Sequence, residues 1–238
     1  MSPAPSSSAG QDPARIRDAA SIVLIRRDLD RPAVLMGMRG AGAAFMASKF
    51  VFPGGAVDAA DRDLPLAGEG DPISLARLAI DIRPESELSP RQIVAAALRE
   101  LAEEAGLLIG RPGVSSLDGY AGAGLVPDGA ALHYVFRAIT PPGRTRRFDA
   151  RCLLADAAAI SGDPDDFSRA GDELTHLQWV PVDEMRALAL PFITEVVLAE
   201  CAALLGAAGS GPLRPPASVP FFDNREARSR FVQIGDGL

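Results

Sequence analysis

The sequence predicts an α+β fold built around one main core. Three observations carry that prediction. Short β-branched and apolar runs recur between Gly/Pro turns, two or three stretches show helical periodicity with recognisable caps, and no internal repeat is present. The 238 residues, of which 47% are apolar, suffice for one large domain. Strands mixed with a few helices bury their apolar faces most simply as helices layered on a sheet.

Residues 1–17 are rich in Ser, Pro and Ala and read as a flexible N-terminal arm before a main domain over 18–205. Ala20 to Ile25 predicts a first strand, Leu29 to Pro32 a turn, and Ala33 to Arg39 a second strand, so a hairpin is expected. Lys49 to Phe52 is a short apolar run that enters a loop at Pro53-Gly54-Gly55. Residues 59–90 are polar and turn-rich, with one amphipathic piece from Ile73 to Ile82, and read as an insertion capping the surface. Ser89, Pro90 and Gln92 then form a helix start: Ser89 caps, Pro90 suits the first helical position and Gln92 completes a capping box. That helix should end at Gly106, with Leu107 to Ile109 beginning another strand. Further strands are expected at Ala131–Ile139, Phe148–Leu154 and Thr175–Val180, a short helix from Asp183, and a longer one over Pro191–Leu205. Residues 206–238 read as a linker and C-terminal tail whose Phe221, Phe222, Phe231, Val232 and Ile234 need burial, in cis or in a homodimer.

Composition removes several classes of function. No apolar run is long enough for a membrane helix, and the first ten residues have neither the basic start nor the apolar centre of a secretory signal. A cytoplasmic protein is expected. Cys152 and Cys201 are too few for a disulfide framework or a cysteine zinc site and read as buried thiols. Net charge is −7, and the longest basic cluster, Arg144 to Arg147, is too short to track a nucleic-acid backbone. No nucleic-acid partner is expected. An acidic protein can still bind an anionic substrate where divalent cations bridge the two.

The segment that carries chemistry is Ala97 to Gly106. Glu100, Glu103 and Glu104 stand at i, i+3 and i+4 and share one helical face, where like charges repel by about 0.2–0.5 kcal/mol per pair. Arg99, four residues before Glu103, can relieve part of that. Ile93, Val94, Ala97, Leu98 and Leu101 form the opposite, apolar face. A triplet of carboxylates on one face suits Mg²⁺ or Mn²⁺, which take oxygen ligands and share the remainder with water and phosphate.

Arg99, Glu100, Leu101, Glu103, Glu104, Gly106 and Leu107 resemble the signature helix of the Nudix hydrolases, and Phe52-Pro53-Gly54-Gly55 resembles the loop that precedes it. The resemblance covers roughly residues 18–205 and implies a Nudix-type α/β/α sandwich with a mixed central sheet. Gly55 and Arg99 are 44 positions apart, much farther than is usual, so the 59–90 insertion falls inside the signature. The family's additional glutamate falls on Arg91, which leaves that carboxylate missing. Phe45 to Asp61, the insertion, and Arg146 to Arg151 are similar to the coenzyme A diphosphatase branch, although Ala44 and Ser48 replace an Arg and a Gly of its upstream motif. The resemblance implies a pyrophosphohydrolase with Mg²⁺ or Mn²⁺ on Glu100, Glu103 and Glu104, and with Arg99 orienting Glu100. It implies Gly54 and Gly55 as shapers of the site loop and Arg39 as a substrate contact. Strand alternation puts Arg147 and Arg151 on one face, where Arg147 is a candidate contact for substrate phosphate, with surface pairing as the alternative. Glu173, with Asp172 beside it, is the expected base from a later loop. His133 and His176 read as local strand residues and Trp179 as core. The implied substrate is a nucleoside-diphosphate derivative, coenzyme A or acyl-coenzyme A first. Alternatives are ADP-ribose, NADH or a nucleotide sugar, or a non-catalytic nucleotide-binding regulator.

Overall fold

The computed structural model describes residues 15–40, 46–188, 190–226 and 228–235. The first fourteen residues of the expected arm lie outside this range, whereas Ile16 and Arg17 already belong to a strand. The chain runs through β1 (Ile16–Arg26), β2 (Ala33–Arg39), β3 (Phe50–Val51), β4 (Gly54–Ala56), α1 (Pro72–Leu78) and α2 (Pro90–Ala105). It continues through β5 (Gly110–Pro112), α3 (Tyr120–Ala123), β6 (Leu125–Pro127), β7 (His133–Ile139) and β8 (Arg147–Asp156). It closes with β9 (Leu174–Pro181), α4 (Phe192–Ala208), β10 (Val219–Asp223) and β11 (Arg230–Ile234).

The main sheet has the order β11-β10-β7-β8-β1-β2-β3, with β4 also pairing β1 and β9 pairing β2. β1 runs parallel to β8 and β10 parallel to β7, while the other pairs are antiparallel, so the sheet is mixed. β1 explains the layering. Its Ile22 and Leu24 join a core with α2, and its Val23 and Ile25 join a second core with α4. A strand covered on both faces reads as a continuous apolar run, as Ile22–Ile25 does. The result is the expected α/β/α sandwich.

α2 forms where its caps dictate. Ser89 Oγ accepts from the Gln92 backbone N–H, Gln92 answers at the Ser89 N–H, and Pro90 takes the first turn. Gly106 ends the helix in the left-handed region at φ 71°. Leu107 to Ile109 are buried but form no strand; pairing begins at Gly110, in the separate β5–β6 ribbon.

The insertion is a welded cap. Its α1 starts on Asp71, whose carboxylate accepts from the Ser74 N–H, and Leu78 is buried against the α2 core. Ser74 Oγ accepts from the Tyr134 N–H at 3.0 Å, and Arg77 donates to the carbonyls of Pro216 and Ala217. Arg83 reaches into a charged cluster beneath. Fully buried Asp149 accepts from Arg137 at 2.8 Å, Arg83 at 3.1 Å and Arg151 at 3.2 Å, while Asp18 accepts from Arg83 and Arg151. Burial alone would push the Asp149 carboxyl up; the Arg137 hydrogen bonds and the arginine charges hold it below the usual carboxylate range.

The segment after residue 206 does not hang free. β10 pairs β7, Phe221 is fully buried, and the Arg137 guanidinium carbon lies 4.3 Å from the Phe221 ring centroid. Ile234 is buried as well, whereas Phe231 and Val232 on the edge strand are exposed. Docking in cis therefore accounts for part of the tail's apolar surface. Phe221→Ala should destabilise the protein by about 3–5 kcal/mol in denaturant titration, because β10 closes the core through this ring.

Candidate active site

The Gly-Gly loop comes close to β1 and α2 at two bare positions. A Cβ on Gly55 would stand 2.3 Å from Glu100 Oε1, and one on Gly54 would stand 2.5 Å from the Ala20 carbonyl oxygen. With both positions bare, β4 pairs with Ala19–Ser21 of β1, and the Gly54 N–H donates to Glu104 Oε2 at 2.7 Å.

Arg99 organises the acidic face. Its Nη1 donates to Glu100 Oε1 at 2.8 Å and to Glu103 Oε2 at 2.9 Å. Its Nε and Nη2 donate to both oxygens of Asp61, at 2.7 and 3.1 Å, and Nη2 also reaches the Ala56 carbonyl at 3.0 Å. Burial works against this charge, but the acceptors of Asp61 and Glu100 outweigh it and raise the Arg99 pKa, so the guanidinium stays charged. Asp61 itself is buried, on a 3₁₀ turn over Ala59–Arg62 capped reciprocally by Asp58. The residue expected eight places before Arg99, Arg91, instead donates to the carbonyls of Arg62 and Leu64. The carboxylate that meets Arg99 from before the helix is instead Asp61, which counting forward from Gly55, instead of back from Arg99, would have found.

Glu104 is the most constrained acid. It is 2% exposed, and its Oε1 has no hydrogen-bond partner. Burial pushes its pKa up to about 8; the Gly54 N–H and the Arg39 charge oppose this, while Glu100 and Glu173 add to it. Arg39 Nη2 lies 3.6 Å from Glu104 Oε1 and 3.9 Å from Glu173 Oε2, so Arg39 and Glu173 do adjoin the helix. Glu100 is raised too, by burial first, with Arg99 countering. Glu103 and Glu173 are exposed.

Other expected residues fall elsewhere. Arg147 does not join this group: it is buried and donates to the carbonyls of Thr140, at 2.9 Å, and Asn224, at 2.6 Å, tying β8 to the segment after β10. Asp172 is exposed, and His176 Nδ1 lies 3.1 Å from Thr175 Oγ1. His133 is held below the usual imidazole range by burial. Trp179 Nε1 donates to the Pro164 carbonyl at 3.1 Å, and its ring packs against the α2 core. Cys152 and Cys201 are buried free thiols, with Cys152 pushed up to about 12 by burial.

No protein-family model and no curated protein matches the chain. Solved structures do. A Nudix hydrolase from Alicyclobacillus acidocaldarius is 25% identical, with a TM-score of 0.61 over 85% of this chain and 99% of that one. The fold is that of the Nudix hydrolases. This likeness supports a pyrophosphohydrolase. Two more distant structures are similar: the NUDIX domain of Shewanella oneidensis NrtR complexed with ADP ribose and a MutT NUDIX hydrolase from Burkholderia pseudomallei. The first is 14% identical over 83% of this chain and 95% of its own (TM-score 0.49), the second 19% over 78% and 98% (TM-score 0.46).

Nudix hydrolases generally use divalent metal ions. Among the described residues no three His, Cys, Asp or Glu side chains already converge as a cation cage; Glu100 and Glu103 are both turned onto Arg99. The chemistry of the set nevertheless fits a hard cation. All its donors are carboxylate oxygens, and Glu104 Oε1 is buried without a hydrogen-bond partner.

Glu104 also sets a pH dependence. Its folded pKa, about 8, lies above the ordinary carboxylate value of 4.5, so the folded state holds the proton more tightly. The stability it contributes is full below the unfolded pKa and is lost as pH rises through about 8. Chelator-treated protein should melt at progressively lower temperature across that window. Glu104→Gln should flatten the slope and raise the melting temperature at pH 8, as thermal denaturation by circular dichroism would read.

Proposed function

We propose that this chain hydrolyses the pyrophosphate of a nucleoside-diphosphate derivative with the help of Mg²⁺ or Mn²⁺, and that its substrate is coenzyme A or an acyl-coenzyme A. The observation that carries the chemistry is the buried Glu104 Oε1, which has no hydrogen-bond partner, on the same helical face as Glu100 and Glu103. Choice of substrate is supported by the sequence likeness of Phe45–Asp61 and Arg146–Arg151 to the coenzyme A branch.

Glu100, Glu103 and Glu104 would hold the cation, which supplies charge neutralisation at the pyrophosphate and a bound water of lowered pKa. The chain's own residues do the rest. Arg99 keeps Glu100 aimed from one side while Asp61 keeps Arg99 in place. Gly54 fixes one oxygen of Glu104 through its N–H and leaves the other without a hydrogen bond. Arg39, between Glu104 and Glu173, can meet an incoming phosphoryl oxygen. Glu173 is exposed beside Arg39 and can accept a proton from an attacking water.

Screening coenzyme A, ADP-ribose, NADH and nucleotide sugars with and without Mg²⁺ or Mn²⁺ tests the reading. Hydrolysis that survives chelation, or no hydrolysis of any of them, overturns it. Glu103→Gln should lower turnover by about 10²–10³. Its melting temperature in chelator should not fall, since Glu103 is exposed; more than about a tenth of wild-type turnover would remove it from the site.

A homodimer is proposed at the exposed edge, where β11 presents Phe231 and Val232 beside Phe192. Light scattering at micromolar concentration should give twice the chain mass; a monomer ends this proposal. Among the described residues no helix is long and apolar enough to cross a membrane.

A further inference from the structure

An open cleft of about 480 Å³ lies between the start of β1 and the insertion. Arg15 and Arg17 line it from the strand, Arg62 and Arg83 from the insertion, and Asp58 from the turn after the Gly-Gly loop. It is distinct from the Glu100, Glu103 and Glu104 face but adjoins it, because Asp58 Oδ2 stands 3.9 Å from Arg99 Nη2.

The charges in this cleft are unevenly spent. Arg15 and Arg17 are exposed and, among the described residues, have no hydrogen-bond or ion-pair partner. Among the described residues Arg62 donates only to the Glu87 carbonyl, which leaves its charge unneutralised. Beneath them, the three guanidiniums of Arg83, Arg137 and Arg151 are matched by the three carboxylates of Asp149, Asp18 and Glu85, so the cleft's unspent positive charge is that of the exposed arginines. Of the acids on the walls, Glu85 is occupied by Arg83, so Asp58 and Glu87 face the three free arginines. In a chain of net charge −7, this concave surface concentrates unpaired guanidinium, and concave walls focus such a field. Guanidinium forks match phosphate oxygens.

We propose that this cleft binds a phosphate monoester that the substrate carries in addition to its pyrophosphate. The link to turnover rests on the hydrolysis proposed above; the cleft's affinity does not. Calorimetry on the full chain, in chelator, compares adenosine 3′,5′-bisphosphate with adenosine 5′-monophosphate. The bisphosphate should bind about tenfold or more tighter, and Arg17→Gln/Arg62→Gln should abolish the difference, since a charged hydrogen bond typically contributes a factor of that order. Both side chains are exposed, so an unchanged melting curve will show that the variant is folded. Equal affinities in the wild type, or a difference that survives the double substitution, overturns the proposal. With Mg²⁺, coenzyme A should exceed dephospho-coenzyme A in kcat/KM by about tenfold in the wild type, and the two should converge in the variant. If the bisphosphate alters dephospho-coenzyme A turnover without competing with it, the cleft serves a separate ligand, and the substrate-borne reading fails. If binding discriminates but neither compound is hydrolysed, the cleft stands and the hydrolase reading falls.

Discussion

One guanidinium holds the acidic helix together. α2 places three glutamates on a single face, an arrangement that repels itself, and Arg99 receives two of them together with Asp61 and the Ala56 carbonyl. Its side chain is only 12% exposed, so these interactions act in a medium that screens them weakly. Everything around it is placed by that demand. The Gly-Gly loop approaches closely enough for Ala56 to be an acceptor, the 3₁₀ turn folds back to present Asp61, and Glu100 and Glu103 are drawn to one side while Glu104 is left on the other.

Asp61 and Arg99 are 38 positions apart, and the chain between them had to be fixed without disturbing them. Loop closure over such a length costs only slowly more as the loop grows. The harder requirement is that both ends stay in register, and the insertion meets it by anchoring along its length. Ser74 holds the β7 backbone, Arg77 the segment after α4, and Arg83 the Asp18–Asp149 pair. A buried charged cluster adds little net stability over an apolar one of equal volume. What it gives is a unique seating, since a shifted Arg83 would strand Asp149 and Asp18 with fewer donors. Excising the insertion would therefore disrupt the sheet beneath it.

Local signals were legible in the sequence, and long-range partnerships were not. α2 could be drawn almost to its ends because Ser89, Pro90, Gln92 and Gly106 act within one turn of the residues they cap. The acidic triplet was legible for the same reason, as helical spacing alone puts it on one face. Gly54 and Gly55 could be flagged, but the cause, contact with Ala20 and Glu100, needed the fold. Arg147 misled because strand alternation gives its face and not its neighbour; β8 turns it toward backbone carbonyls brought there by the tail. Phe221 was evidently apolar enough to be buried, yet nothing local says that its partner strand is β7, more than eighty residues upstream. Leu107 to Ile109 had strand composition and no available partner, so burial prevailed over pairing.

The least comfortable group in the molecule is Glu104, and its discomfort is informative. A carboxyl raised to about 8 by burial is unfavourable at neutral pH, and Gly54 satisfies only one of its oxygens. Apolar replacement would relieve the fold, because nothing in the chain gives the buried second oxygen a hydrogen bond. Arg39 stands near, but at 3.6 Å it does not close the second oxygen with a hydrogen bond. A buried acid left half-satisfied, beside two partly satisfied ones, becomes a spot of concentrated negative potential on a rigid helix once its proton is released. That potential is wasted on the folded chain alone. It gains value when a hard cation arrives, since the desolvation that penalises the free carboxylate strengthens its attraction for the ion. The same residue thus lowers stability where the chain stands by itself and supplies, in the proposed function, the strongest single reason for metal to bind at α2.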